Sequence, residues 1–359
     1  WSSDVCSSDL SNKISRRREK QVADEIRGAV IGYGAAFNMG RHHVHAMNRT
    51  DGMKTVAILD IDEARTAAAK EEFPEVEVFN SLDDMIAWGE FDVAVNVLPH
   101  NLHHGPTLAC LQAGKHAIVE KPFTISIAEA TELIEAAKQN DVVVTVHHNR
   151  RWDQDFWTLK GLVESGVIGQ VYNIEMWGGG YSKPNPDWWR SSKRVSGGAF
   201  YDWGAHFIDW LLNVIPDKMV NITGFFHDLV WDDITNEDHV HGLIRFANGC
   251  SADIQMSQIG TVGKQRWRLL GSHGSIIDGD GCFHVQSKLD DHPDNQEVKF
   301  EGRPGPSFYE NFVSHINDPV NTSLIVTPES ARRVIAVLEL SEKSSRTHQA
   351  ETVPYEFED

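Results

Sequence analysis

Across the first 150 residues, short apolar runs alternate with helix-forming stretches, and this alternation limits the fold more than any other feature of the chain. Apolar runs at 28–32, 55–60, 76–79, 91–97, 116–120 and 142–146 predict strands. Between them lie predicted helices at 40–47, 63–72, 107–113 and 126–139, with a helix-capping serine pattern at 81–84. Strands that are apolar almost throughout are buried on both faces. They predict a doubly wound parallel sheet in an α/β domain, with helices on each side. After residue 150 the pattern becomes alternating, at 171–177, 221–226, 239–246, 250–257 and 267–270. One predicted helix, 198–213, interrupts these stretches, and helices return at 307–345. The second part therefore predicts an α+β domain with an open, mainly antiparallel sheet. The domains read as 27–149 and 150–359.

Residues 1–10 resemble the translation of a sequencing-adapter oligonucleotide, so 1–26 are read as an artefact and tail, outside the fold. The arginines that follow, Arg16 to Arg18, precede charged residues rather than an apolar stretch, which argues against an export signal. An apolar content of 41% is enough for two cores, and a formal net charge of -19 excludes nucleic acid and anionic membrane as expected partners. No transmembrane helix is expected, because no run of about 18 apolar residues occurs. The four cysteines lack C-x-x-C spacing and read as reduced thiols of a cytoplasmic protein. The 18 histidines form no H-E-x-x-H pattern, so no metal is predicted.

A glycine turn, Gly32-Tyr33-Gly34, follows the first predicted strand and precedes a helix. That is the context in which glycines let a backbone approach a pyrophosphate. The third glycine of such turns is displaced to Gly40, with Ala35, Ala36, Phe37, Asn38 and Met39 between, which predicts a longer phosphate loop. Asp60 ends the second strand. A carboxylate there accepts hydrogen bonds from ribose hydroxyls and repels a 2′-phosphate, so the expected cofactor is NAD rather than NADP. Pro99, His100 and Asn101 follow the fourth strand, at the end of the sheet where ligands bind, and are assigned to the nicotinamide region with Glu120. His103 or His104 reads equally well as a helix-start residue.

Glu120-Lys121-Pro122 places an ammonium group at the carboxyl end of a buried strand. Some 80 residues on, Gly197-Gly198 lead into a predicted helix carrying Asp202 and His206 four apart, hence on one face. A lysine, a carboxylate and an imidazole are what proton transfer to and from a hydroxyl needs at neutral pH. Lys121, Asp202 and His206 are therefore the candidate catalytic groups. Trp188, Trp189 and Arg190, with Tyr181, precede this helix. Tryptophans stack on sugar rings and arginine pairs with anionic groups, although the tryptophans read equally well as domain-interface packing.

Taken together, the G-x-G turn with Asp60, Glu120-Lys121-Pro122 and Gly-Gly-x-x-x-Asp-x-x-x-His-x-x-Asp resemble the Gfo/Idh/MocA oxidoreductase family over roughly residues 27 to 340. The resemblance implies a Rossmann domain followed by an open-sheet α/β domain. It also implies a nicotinamide cofactor and a sugar, cyclitol or related polyol substrate. The family's catalytic lysine, aspartate and histidine fall on Lys121, Asp202 and His206. Asn149, Arg150, Arg151 and Trp152 resemble the inositol- and sugar-dehydrogenase branches, which places Arg151 and Trp152 among the substrate residues. The family's glycine loop is shorter than the one in this chain.

The reading that follows is an NAD-dependent oxidoreductase of a sugar, cyclitol or polyol hydroxyl. The alternative is an NAD-dependent glycoside hydrolase that oxidises C3 transiently and eliminates the aglycone. A non-catalytic sensor would have no need of all three polar groups. Met256, Trp267 and Leu269 are expected to leave apolar surface on the open sheet. With the family resemblance, this predicts a homodimer or homotetramer.

Overall fold

The computed structural model describes residues 25–34 and 38–357. These residues form two compact units, one of residues up to Val93 with 308–324 and one of 94–307 with 325 onward. The adapter-like residues and tail up to 24 lie outside the described part, as do Ala35, Ala36 and Phe37.

The first unit contains β1 (Ile26–Ile31), α1 (Met39–Asn48), β2 (Met53–Leu59), α2 (Glu63–Glu72), β3 (Glu77–Phe79) and α3 (Leu82–Trp88). Its parallel strands run in the order β3-β2-β1. β1 is buried at five of six positions, the signature of a strand covered on both faces. Helix ends are set by side chains. Asp62 accepts from Ala64 N at the head of α2, and Ser81 accepts from Asp84 N at the head of α3.

β4 (Val93–Asn96) leads into the second unit, where α4 (His104–Gln112), β5 (His116–Glu120), α5 (Ile127–Gln139) and β6 (Val144–His147) continue the alternation in strand order β4-β5-β6. α5 opens with a reciprocal cap: Ser126 Oγ accepts from Glu129 N at 3.2 Å, and Glu129 Oε2 accepts from Ile125 N at 3.2 Å. Then come α6 (Gln154–Glu164), β7 (Val171–Gly179), a short α7 (Lys193–Ser196) and α8 (Trp203–Val214). Seven strands follow, β8 (Met219–His227), β9 (His239–Phe246), β10 (Ser251–Ser257), β11 (Trp267–Gly271), β12 (Gly274–Asp278), β13 (Cys282–Ser287) and β14 (Asn295–Lys299). α9 (Phe308–Asn317) belongs to the first unit, and α10 (Pro328–Thr347) to the second. β7 to β14 make one eight-stranded sheet, ordered β14-β13-β12-β11-β7-β10-β9-β8. Its pairings are antiparallel except for β7 with β10.

α10 lies directly on β8. A Cβ on Gly224 would stand 1.9 Å from the Ser341 carbonyl oxygen, so only glycine permits this approach. The helix-covered face is apolar, and it includes two residues the sequence placed on the open one. Trp267 and Leu269 are 1% and 0% exposed, and Trp267 packs 5.8 Å from Trp210 of α8. Strand alternation separates the two faces but does not say which one a helix covers. The opposite face is mostly polar: Arg268 pairs with Glu175, and His241 lies 3.1 Å from Asp253. Phe225, 46% exposed, lies beside His241.

Candidate active site

The glycine turn is tightly packed and leaves its backbone open at Gly34. Gly32 has φ 100° and donates from its N–H to the Leu59 carbonyl at 2.7 Å. A Cβ on Gly40 would sit 2.4 Å from the Gly32 carbonyl oxygen, so Gly40 performs the close-packing role of the third glycine despite the longer loop. A Cβ on Gly34 would meet nothing within 4 Å. α1 then begins after Asn38, whose φ is 50°, and Met39 is its first residue. Of the sequence-assigned loop residues, Ala35 and Phe37 lie outside the described part. A helix N-terminus behind a glycine cradle fits a dinucleotide pyrophosphate.

Asp60 is 8% exposed and fixes this turn. Its carboxylate accepts from Tyr33 N at 2.8 Å and from Asp62 N at 3.0 Å. Beside it is a recess of about 500 Å³ lined by Tyr33, Asn38, Arg41, Asp62, Arg65 and Glu72. The two arginines there are paired, Arg41 with Glu72 at 2.5 Å and Arg65 with Asp62 at 3.5 Å.

In the second unit the catalytic candidates converge. Lys121 Nζ donates to Asp202 Oδ1 at 2.7 Å and to the Asp202 carbonyl at 3.2 Å, over 81 residues of chain. Arg190 Nε stands 3.6 Å from the same carboxylate oxygen, with its guanidinium over Trp189 at 4.5 Å and Trp188 at 5.5 Å. Burial alone would raise the Asp202 pKa. The Lys121 and Arg190 charges outweigh it and hold the group below the usual carboxylate value. The sequence put Asp202 inside the helix, but α8 starts one residue later, at Trp203. Asp202 follows the sharp Gly197-Gly198 turn (φ 88° and 129°), so its side chain reaches Lys121 instead of capping the helix.

His206 is 7% exposed between Trp203 and Trp210, at ring separations of 5.5 and 6.4 Å. Its Nδ1 has no hydrogen-bond partner among the described residues. Burial, reinforced by the Lys121 charge, drives its pKa well below 6.5, so the ring is neutral at neutral pH.

The neighbouring groups are already committed to partners. His147 Nδ1 lies 2.7 Å from Glu120 Oε1, while Glu120 Oε2 accepts from Lys121 N. After β4, Asn96 holds the turn carrying Pro99, His100 and Asn101 through bonds to the Leu102 and His103 carbonyls. His100 is buried, with Nδ1 2.7 Å from the Ser196 carbonyl and its ring edge-on to Trp189. His103 is held inside the fold, its ring nitrogens lying 2.6 and 2.8 Å from the carbonyls of Pro122 and Leu98.

Six sequence-assigned substrate residues, Lys121, Arg151, Trp152, Tyr181, Trp189 and His206, line neither cavity at Asp202. Arg151, 5% exposed, is held in a buried pair with Asp209 at 2.6 Å and also bonds the Ile325 carbonyl and Ser330. Its charge is consumed inside the fold. Trp152 donates to the Pro306 carbonyl and carries Arg303 on its ring. Tyr181, 56% exposed, bridges Ile259 just beyond the ends of β7 and β10 and contacts Trp231. Trp188 and Arg190 do line a cavity with Asp202.

Two features escaped the sequence reading. Glu237, 3% exposed, accepts from Ala199 N at 3.0 Å and pairs with Lys193, which anchors the turn before Asp202. Its only signal was a polar run, Asn236-Glu237-Asp238, in a turn-rich stretch. The second is His148, 1% exposed, with Nδ1 3.9 Å from Asp209 and a pKa pushed down to about 4 by burial against the opposing pull of Asp209.

The chain belongs to the Gfo/Idh/MocA oxidoreductase family. The model of its NAD-binding Rossmann-fold domain matches residues 26–148, and that of a Gfo/Idh/MocA C-terminal domain matches 156–277. Its relatives include scyllo-inositol 2-dehydrogenase (NADP+) of Bacillus subtilis, 30% identical over 56% of this chain and 55% of that one. The chain thus spans about half the length of that relative. Myo-inositol 2-dehydrogenase of Thermotoga maritima is 28% identical over 70% of this chain and 75% of its own. Among solved structures, an NAD-binding protein from Listeria innocua superposes with a TM-score of 0.80 at 25% identity, covering 91% of this chain and 97% of that one. Among the described residues, no helix is long and apolar enough to cross a membrane.

Proposed function

We propose that the chain is an NAD-dependent dehydrogenase of a secondary hydroxyl on a sugar, cyclitol or related polyol. The observation that carries this reading is the Lys121–Asp202 pair at 2.7 Å in the same unit as a buried, neutral His206. NAD supplies the hydride acceptor at its nicotinamide. This chain's residues do the proton work. His206, neutral, takes the hydroxyl proton. The Lys121 ammonium hydrogen-bonds the substrate oxygen and stabilises the charge that grows on it, and Asp202 holds that ammonium in place. Pro99, His100, Asn101 and Glu120 are proposed to shape the nicotinamide region, and Gly32, Gly34, Asn38 and Met39 to hold the pyrophosphate. Screening sugars and cyclitols with NAD for NADH absorbance tests the reading. Absence of NADH with every polyol, while NAD still binds, would reject it.

Asp60 sets the cofactor preference we assign. Its carboxylate penalises a 2′-phosphate by about 1–3 kcal/mol. Because it also holds Tyr33 N and Asp62 N, Asp60→Ala is expected to weaken both cofactors. The Kd ratio of NADP to NAD should nonetheless fall at least fivefold. Equilibrium titration of both cofactors checks this, and an unchanged ratio means that Arg41 or Arg65 governs the preference.

The assembly we propose is a twofold-symmetric homodimer or a homotetramer formed through the polar face of the large sheet, where Phe225 is exposed. Light scattering should give at least twice the 40.3 kDa chain mass, and Phe225→Glu should lower it. A monomer at micromolar concentration would exclude the proposal.

A further inference from the structure

We infer that the substrate is an uncharged glycoside of at least two rings, bound across Asp202, an inference that rests on the dehydrogenase reading above. Two cavities of about 580 and 540 Å³ adjoin, sharing Gly179, Ala199, Asp202, Ser257 and Gln258 in their linings. Sites for single small molecules span roughly 300–1,000 Å³, and a lone sugar or cyclitol ring lies at the small end of that range. Each cavity alone holds one ring, and the pair exceeds what one ring fills.

The walls of the two cavities differ. Trp177, Trp203, Phe207 and Met256 line the first; His206 lines neither cavity, but Trp203 stands edge-on to its ring at 5.5 Å. On that neighbour the ring undergoing oxidation is assigned to the first cavity. Ser182, Asn185, Trp188 and Asn236 line the second, offering an indole face together with hydroxyl and amide groups. A ring with an apolar C–H face and a polar hydroxyl edge matches such a wall. The charges argue against an anionic partner. Of the four cations in these walls, Lys183 pairs with Asp233, Arg190 with Asp202, and Arg266 with Asp155, while Lys264, without an ion pair among the described residues, shares the first wall with Asp202 and Asp238. With three of the four cations paired and the fourth alone, the cavities hold no cluster of free cations for a phosphate or uronate.

Gly180 gives a clean test. It lines the second cavity only, it is not among the positive-φ glycines, and a Cβ there meets nothing within 4 Å. Gly180→Leu therefore fills that cavity without straining the backbone, and Trp188→Ala removes its aromatic wall. The probes are glucose, myo-inositol, methyl β-glucoside, maltose, cellobiose, gentiobiose, glucose 6-phosphate and galacturonate. Each is read by NADH formation and, separately, by calorimetric binding. At least one disaccharide should exceed every single ring tenfold in kcat/KM and in affinity, whether it is oxidised intact or cleaved. Either substitution should cut that advantage to threefold or less. A single ring or an anionic sugar that matches the best disaccharide overturns the inference, as does an advantage that survives both substitutions. If no probe yields NADH but disaccharide binding is seen and is lost in Gly180→Leu, the dehydrogenase reading fails and the two-ring site stands.

Discussion

Lys121→Ala is expected to lower kcat by two to four orders of magnitude while NAD affinity stays within about threefold. A positioned proton-transfer group contributes roughly 10²–10⁴-fold. By transition-state arithmetic that corresponds to about 3–5 kcal/mol. The loss should fall on kcat because the ammonium acts on charge that develops only as the hydroxyl is oxidised. Lys121→Arg should not rescue the enzyme, since a planar guanidinium does not occupy the place of a compact ammonium held 2.7 Å from Asp202. A second readout separates this role from simple disruption. The Lys121 charge helps to hold down the pKa of His206, second only to burial. Removing it should move the acid limb of the residual activity to higher pH. Steady-state kinetics from pH 5 to 9 with fluorescence titration of NAD checks both points. A kcat within tenfold of the parent would remove Lys121 from the chemistry.

The groups behind that prediction were legible because each stands next to a local signal. Lys121 ends an apolar run and precedes a proline. His206 follows paired glycines by a helical spacing. Gly40 was recognisable as a glycine out of place, and the clash that a Cβ there would make explains why it is glycine. The illegible parts depend on pairings between distant segments. Arg151 and Asp209 are 58 residues apart, and nothing in residue type separates an arginine awaiting a substrate from one consumed by a buried carboxylate. Glu237 and Lys193 meet across 44 residues. Likewise, strand alternation grouped Trp267 with Leu269 correctly, but which face α8 and α10 would cover is decided by packing, not by period.

The unfolding free energy is expected to fall steeply on acidification below pH 6.5, well before carboxylates titrate. His100, His148 and His206 are each 7% exposed or less, and burial drives the pKa of each below its ordinary value, to about 4 for His148; buried His103 is lowered in the same direction. The sign follows from which state binds more protons. Between pH 6.5 and the depressed folded values, the unfolded chain carries these protons and the native protein does not. Acid therefore favours unfolding, and the neutral-pH stability is lost as pH falls through that window. Each histidine contributes about 1.4 kcal/mol per pH unit, so three acting together give a slope of about 4 kcal/mol per unit. Over its whole window His148 alone accounts for roughly 3 kcal/mol. The carboxylates do not blur this. Asp202 and Asp209 are also depressed, by Lys121 and Arg151 respectively against the opposing effect of burial, and theirs is stability lost only below about pH 4. Urea unfolding at pH 7.5, 6.5, 5.5 and 4.5 measures the slope. His148→Leu should remove about a quarter to a third of it, because one of these proton sites is gone and an apolar side chain suits its dry surroundings. A flat profile between pH 7 and 5 would mean that these rings accept protons inside the fold as readily as in the unfolded chain. His206 would then keep an ordinary imidazole pKa, and the acid limb of activity would lie near about pH 6.5 rather than well below it.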